Sequence, residues 1–158
     1  FTLVRSVDPL DIVEIKFPAL FATVIHPQIE IKTAEARAIL PKDVPLKDAV
    51  KNWSNLGALV AALSSGDYDL MARSMVDLIV EPVRKSLIPK FDEVKSASLA
   101  AGALGGGISG SGPSIFMLSK TKETAQNIET AMREAYSKTG IEFNIYVSKI
   151  HPEGVRFI

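Results

Sequence analysis

The chain has 158 residues, of which 47% are hydrophobic and 23% charged, and its 18 basic and 18 acidic side chains give a formal net charge of zero. This composition is ordinary for a folded globular protein, and it excludes a disordered chain and argues against a nucleic-acid binder. Cysteine is absent, which excludes disulfides, zinc ribbons and thiol catalysis and favours the cytoplasm, and no apolar run reaches the roughly 18 residues that span a membrane. The sequence begins at Phe1 without a signal-peptide pattern, so we expect a fragment or a processed chain.

The first 27 residues predict three strands. Residues 1–6 and 11–17 both alternate between apolar and polar side chains, and Asp8–Pro9 between them marks a turn, so we expect a hairpin. A short apolar run from Leu20 to Ile25 ends at His26–Pro27 and predicts a buried strand.

A series of helices follows. Residues 33–40 are rich in helix formers and stop at Pro41, and Asp67 can cap a helix in which Leu70, Ser74 and Leu78 share one side. Pro89 is placed to open another helix that ends at Gly102. Another helix is predicted from residue 46, between Pro41 and Asp67. Apolar residues at steps of three and four predict that it buries one face, formed by Leu46, Ala49, Val50, Trp53, Leu56, Val60 and Leu63.

Six of the ten glycines fall between Gly102 and Gly112, and residues 105–113 predict a loop of glycine, serine and proline. A helix precedes this run and a strand follows it, which is the wrong context for a dinucleotide-binding loop. A phosphate-binding Walker loop would need a lysine, and a hydrolase elbow would need one more glycine. Two interpretations stay open: a tight connection, or a backbone that approaches an anion or another loop closely.

The remainder predicts a strand over 115–118, a helix over 121–139, a strand over 142–149 and a final strand over 154–158. Strands and helices mix without regular βαβ alternation, so the fold class is α+β.

Three stretches resemble one family. The run from Gly107 to Phe116 resembles the third motif of the GHMP small-molecule kinases, and Ser109–Pro113 is closest to the homoserine kinase branch. The segments Thr33–Pro41 and Asp77–Pro89 resemble that branch too. The resemblance covers the chain but only the C-terminal half of such a kinase, because the family's principal ATP loop is not in this sequence.

The resemblance implies an antiparallel sheet packed against several helices over residues 19–158. Residues 1–18 form a hairpin that can complete the absent N-terminal domain. It further implies ATP-dependent phosphorylation of the L-homoserine hydroxyl in threonine biosynthesis, with ATP and Mg²⁺ bound mainly by that N-terminal half. Neither a catalytic residue nor a metal ligand is assigned to this chain. A cytoplasmic homodimer is expected, with no nucleic acid or membrane as partner.

The same resemblance implies substrate-binding roles for Arg84, Arg156 and His26, since a guanidinium can bind the α-carboxylate of an amino acid in a bidentate manner. Each has a plainer alternative: Arg84 can pair with Glu81 or Asp77, Arg156 can be a strand-edge charge, and His26 can be structural. Asp77 and Glu81, four residues apart, are expected to be surface carboxylates rather than an acid–base pair. The glycine-rich third motif, which the resemblance packs under the ATP loop, comprises Gly105, Gly106, Gly107, Ser109, Gly110, Ser111, Gly112 and Pro113.

Two other functions stay open. One is another GHMP kinase that phosphorylates a different hydroxyl, and the other is a noncatalytic α+β module that binds a small ligand.

Overall fold

A computed structural model describes residues 1–154, which form six strands, six α-helices and two short 3₁₀ turns, at Lys85–Leu87 and Ser137–Thr139. The final strand expected over 154–158, and Arg156 within it, fall outside the described residues. The strands are β1 Thr2–Val7, β2 Leu10–Glu14, β3 Phe21–Pro27, β4 Gly105–Ile108, β5 Ile115–Ser119 and β6 Phe143–Lys149. The helices are α1 Thr33–Ala38, α2 Leu46–Ser65, α3 Tyr68–Ser74, α4 Glu81–Arg84, α5 Phe91–Ala100 and α6 Lys122–Tyr136.

The predicted hairpin is confirmed. Strands β1 and β2 pair antiparallel, from Thr2 opposite Glu14 to Val7 opposite Leu10. The hairpin leaves much of its apolar surface in solvent, since Val7 is 82% and Leu10 is 67% exposed. A two-stranded hairpin with this much exposed apolar surface is marginally stable alone.

The main sheet has the order β4–β5–β3–β6, and every neighbouring pair is antiparallel. The α+β fold is therefore confirmed. Strand β3 lies in the interior of the sheet, and Ile25 stands opposite Ile115 on one side and Ile145 on the other. The buried strand expected before Pro27 is this one.

Helices cover both faces of the sheet. On one face, α5 and α6 pack a core that includes Val94, Ile128, Met132 and Tyr136. The Tyr136 hydroxyl is the one fully buried side-chain polar atom without a hydrogen-bond partner in the described residues, and burial raises the pKa of this phenol. The other face packs against α2 and α3 through a second core, which includes Leu20, Ala62, Leu63, Met71 and Leu118.

The predicted inner face of α2 is confirmed at Leu63, which is buried, and at Val60, which packs against the core, but it is wrong at Leu46, Val50, Trp53 and Leu56. Leu46, Val50 and Trp53 are exposed, by 72%, 49% and 62%. The inner side instead carries Asn52 and Asn55, whose side chains bind the backbone of the segment after α3. The Asn55 amide donates to the carbonyl of Val76 at 2.9 Å, and the Asn52 carbonyl accepts from the N–H of Leu78 at 3.0 Å. These hydrogen bonds place the asparagine side of α2 towards the segment after α3. Apolar periodicity within the helix cannot show such partners.

Two other helix boundaries differ from expectation. Asp67 caps α3 through the N–H of Leu70, as predicted, but α3 ends at Ser74 and Leu78 lies outside it. The carboxylate of Asp77 accepts from three successive backbone N–H groups in the turn that leads into α4. Pro89 stands two residues before α5 instead of opening it. No helix in residues 1–154 has both the length and the apolar character that crossing a bilayer demands.

Candidate functional site

The glycine-rich segment divides into a strand and a loop. Its first four residues form β4, so the prediction of a loop is wrong there. A side chain on Gly106 would meet the carbonyl of Phe116 and lie 2.8 Å from the Cα of Met117 on β5. At Gly107 a Cβ would collide with the Glu81 carboxylate. These glycines therefore allow close packing around β4, which is an edge strand. The strand was not predicted because glycine is rare in strands.

The second part, residues 109–114, is a closed loop. The N–H of Ser109 donates to the carbonyl of Ser114 at 2.8 Å, and the N–H of Gly112 donates to that of Ser109 at 3.0 Å. Gly110 and Gly112 have left-handed φ values of 62° and 88°, a region that side chains disfavour, and the Gly112–Pro113 peptide bond is cis. The loop thus needs its glycines for backbone shape.

Arg84 ties this loop to α1. Its Nε donates to the carbonyl of Ala36 and its Nη1 to the carbonyl of Gly110, both at 3.0 Å. These bonds use two of the five guanidinium N–H groups, so one on Nη1 and both on Nη2 can still donate to a ligand. Neighbouring N–H groups on Nη1 and Nη2 form an edge that suits a carboxylate.

Pairing of Arg84 with an adjacent carboxylate, the plainer alternative, is not observed. Glu81 forms an ion pair with Lys95, and both side chains are more than four-fifths buried. Asp77 accepts backbone N–H groups through both its oxygens. Both carboxylates are thus paired within the described residues, and neither is the free surface group that we expected.

His26 also meets the loop. It lies near the end of β3, is partly buried, and its Nδ1 is 2.8 Å from the Ser114 hydroxyl. Nearby, the hydroxyls of Thr33 at the start of α1 and Ser111 in the loop stand 3.5 Å apart. Of the three predicted substrate residues, the structure thus brings two, Arg84 and His26, to one loop.

Arg37 was not singled out from the sequence. It lies in the last turn of α1 and follows Ala36, whose carbonyl accepts from Arg84. Arg37 is exposed, and its guanidinium has no hydrogen-bond partner among residues 1–154. The sequence offered one indication of a role for Arg37, namely its position within Thr33–Pro41, a segment that resembles the kinase family.

A cavity of about 420 Å³ opens on the other side of the glycine segment. Its walls are mostly apolar, come from α2, β4, β5 and the segment after α3, and include Leu56, Leu59, Met75, Val76, Phe116 and Leu118. The first residue of the hairpin, Phe1, also lines it. The cavity therefore lies between the start of the hairpin, at Phe1, and the glycine loop, at Gly110.

The described residues do not assemble a magnesium site. Within residues 1–154, no group of three or more histidine, aspartate and glutamate side chains could hold a metal ion. Asp77 and Glu81, the carboxylates beside the cavity, already have their partners.

Comparisons with known proteins agree with this architecture. A family model described as "GHMP kinases C terminal" matches residues 48–138. The homoserine kinase of Chlorobaculum tepidum is 48% identical over 161 aligned positions, which cover all of this chain and 50% of that protein. The homoserine kinase of Pyrococcus furiosus is 44% identical over 95% of this chain and 50% of its own length.

Solved structures extend the comparison. The crystal structure of homoserine kinase from Cytophaga hutchinsonii superposes with a TM-score of 0.90 at 55% identity, over 93% of this chain and 47% of that one. The mevalonate kinase of L. major superposes with a TM-score of 0.72 at 16% identity, which shows a shared fold alone. The chain spans about half the length of the relatives it matches.

Proposed function

This chain belongs to the GHMP kinase family, as the match to that family's C-terminal domain shows, and from that premise we propose that it forms the C-terminal half of a homoserine kinase. The complete protein transfers the γ-phosphoryl group of ATP to the side-chain hydroxyl of L-homoserine, in threonine biosynthesis. Such transfer depends mainly on positioning and charge stabilisation, so a domain that holds the acceptor contributes directly to catalysis.

The hydrogen bonding of Arg84 carries the proposal. Its guanidinium is fixed at Nε and Nη1 by two backbone carbonyls, and the remaining N–H edge matches a carboxylate. L-homoserine has an α-carboxylate at the end remote from its reacting hydroxyl. Binding of that carboxylate by Arg84 orients the amino acid so that the hydroxyl points away from the arginine.

Three further residues take supporting roles in the proposal. His26, held by Ser114, lines the substrate pocket beside the same loop. Arg37 adds a second positive charge at the end of α1, one residue after the carbonyl that binds Arg84. Arg156, which lies outside the described residues, remains proposed as another carboxylate ligand.

ATP and Mg²⁺ bind mainly to the other half of the protein. Two features support this division: the carboxylates beside the cavity already have partners, and the glycine segment carries no lysine. The glycine loop packs under the ATP loop of that half. Residues 1–18 complete its domain, as the exposed apolar side chains of the hairpin suggest. We further propose a cytoplasmic homodimer.

The test measures ADP release by the complete protein with ATP, Mg²⁺ and L-homoserine, beside mevalonate and galactose as controls. Turnover with homoserine alone supports the proposal. Turnover with another alcohol identifies a different GHMP kinase, and no ATP consumption with any of them favours a noncatalytic binding module.

A further inference from the structure

A largely buried ion pair joins α4 to α5 beside the glycine segment. Glu81 on α4 accepts from the Nζ of Lys95 on α5, and the two side chains are only 16% and 19% exposed. The Lys95 ammonium also lies 5.8 Å from the ring centroid of Phe91, a buried side chain on the same helix. Burial strips both charges of water, and their attraction offsets that loss only in part, so a gain in stability does not explain such a pair.

Arg84 is a second cation that could take the Glu81 carboxylate. The two residues stand three apart on one turn of helix, a spacing at which a carboxylate and a guanidinium can pair. In the structure they do not pair, because Lys95 holds the carboxylate. Arg84 donates instead to the carbonyls of Ala36 and Gly110. Lys95 and Arg84 are therefore rival partners of one buried carboxylate.

Glu81 and Arg84 face the same part of the molecule. The Glu81 carboxylate lies where a side chain on Gly107 would have to be, and Arg84 bonds to Gly110, three residues further along the same segment. Without Lys95, the carboxylate would remain buried on the side of α4 that also carries Arg84. A buried charge without a partner costs free energy, so Arg84 would be drawn to it.

We propose that Lys95 is a positioning residue for the acceptor site, because it neutralises Glu81 and so prevents that carboxylate from capturing Arg84. The guanidinium then keeps its bonds to two carbonyls, and its remaining N–H edge stays open to the carboxylate of an amino-acid substrate. Lys95 acts through Glu81 and not by contact with the substrate. The identity of that substrate rests on the proposed function, whereas capture of Arg84 by Glu81 can be observed without any substrate.

Lys95→Met in the complete protein tests this role. Methionine keeps the apolar stem and removes the ammonium, so Glu81 loses its partner. The KM for L-homoserine should rise about tenfold or more, because the substrate carboxylate must then compete with Glu81 for Arg84. The KM for the neutral α-carboxamide of homoserine should change by less than about threefold. Lys95→Gln, which donates to Glu81 without cancelling its charge, takes the place of the methionine variant if that variant does not fold.

The double variant E81Q/K95M separates capture of Arg84 from loss of the ion pair. Both charges of the pair are removed, and a neutral amide binds a guanidinium more weakly than a carboxylate does. The KM for homoserine should therefore return to within about threefold of the wild-type value, although the ion pair is still broken. A purely structural role of the pair would leave the double variant at least as impaired as K95M.

Lys85→Met is the matched control. Lys85 directly follows Arg84, and its Nζ donates to Asp92 on α5 at 2.9 Å, so this lysine also links the end of α4 to α5. The side chains of that pair are 39% and 66% exposed, and ion pairs in solvent contribute little. Loss of Lys85 leaves no buried carboxylate behind, so the KM for homoserine should stay at the wild-type value.

The crystal structure of the K95M variant decides the mechanism without substrate, and we expect an ion pair between Glu81 and Arg84. An Arg84 side chain that keeps its place and makes no bond to Glu81 would overturn the proposal. So would a wild-type KM in K95M, equal impairment of K95M and E81Q/K95M, or a K85M variant as impaired as K95M. If the wild type does not phosphorylate homoserine, the proposed function fails instead, and the structure of the variant still decides whether Lys95 keeps Arg84 free.

Discussion

Arg84→Ala tests the two tasks of the arginine at the glycine loop. The change removes the bonds to the carbonyls of Ala36 and Gly110 and also the free N–H edge. The first loss loosens α1 from the loop, and the second removes the proposed carboxylate partner.

The expected magnitudes follow from these contacts. A charge-assisted pair such as the carboxylate contact contributes about 1.5–3 kcal/mol in total where water is excluded. Loss of the bidentate carboxylate contact should therefore raise the KM for homoserine roughly 10- to 150-fold. The guanidinium is only partly buried, so the two carbonyl bonds together should lower the free energy of unfolding by about 1–2 kcal/mol.

The assay compares L-homoserine with its neutral α-carboxamide in the complete protein. Wild type should prefer the carboxylate, and Arg84→Ala should lose most of that preference while the KM for ATP changes little. Arg133→Ala is the control, because this exposed arginine on α6 pairs with Glu129, lies over the ring of Phe143 and is away from the loop. It should leave both substrates unaffected.

The carboxylate role of Arg84 is refuted if Arg84→Ala raises the KM for homoserine and for its carboxamide by the same factor. Arg84 would then act solely by positioning the loop. An unchanged KM for homoserine would remove the residue from the site altogether.

His26→Ala should raise the KM for homoserine about tenfold or less, since one neutral contact is lost, and steady-state kinetics at fixed ATP would show it; a KM equal to wild type would make this histidine structural. Gly106→Ala should lower the free energy of unfolding by roughly 1–3 kcal/mol, because its Cβ would lie 2.8 Å from the Cα of Met117. Gly110→Ala, with only its left-handed backbone to oppose it, should cost about 1 kcal/mol, and urea titrations that rank the two in the opposite order would contradict the packing argument. Tyr136→Phe should be neutral or stabilising by up to about 1 kcal/mol, as it deletes a buried hydroxyl without a partner. Burial raises the folded-state pKa of this phenol above that of the unfolded chain, so wild type should lose stability as pH rises above about 10 and the Phe variant should lose less; parallel pH profiles would refute this.

Local patterns in the sequence predicted most elements of the fold. The hairpin turn at Asp8–Pro9, the cap at Asp67 and the helix over residues 121–139 each depend on near neighbours along the chain. For such elements, turn chemistry and apolar spacing contain enough information, and the structure agrees with them to within a few residues.

The failures share one physical cause, which is dependence on distant partners. The apolar spacing of α2 predicted the wrong buried residues in the first half of the helix because two asparagines find backbone partners on the segment after α3. The glycine run gave a loop where β4 forms because β5 approaches too closely for side chains. No pattern within either segment records these contacts.

The candidate site was predicted in part, and only through the family resemblance. From spacing alone, Arg84 would be predicted as an exposed helical arginine and His26 as a structural residue at the end of a strand. Their meeting at one loop follows from bonds to Gly110 and Ser114, which are remote in sequence from both. Arg37 was missed because its position relative to Arg84 follows from the backbone bond at Ala36.

The arrangement of the main sheet has a consequence for the order in which the protein can be made. Strand β3 is translated well before both strands that border it, β5 and β6. Until Ile115 and then Ile145 leave the ribosome, the apolar strand around Ile25 has neither partner, and closing such long loops is slow. We therefore expect nascent chains stopped before β6 to need a chaperone, and arrest-peptide force measurements should detect folding only after that strand is released.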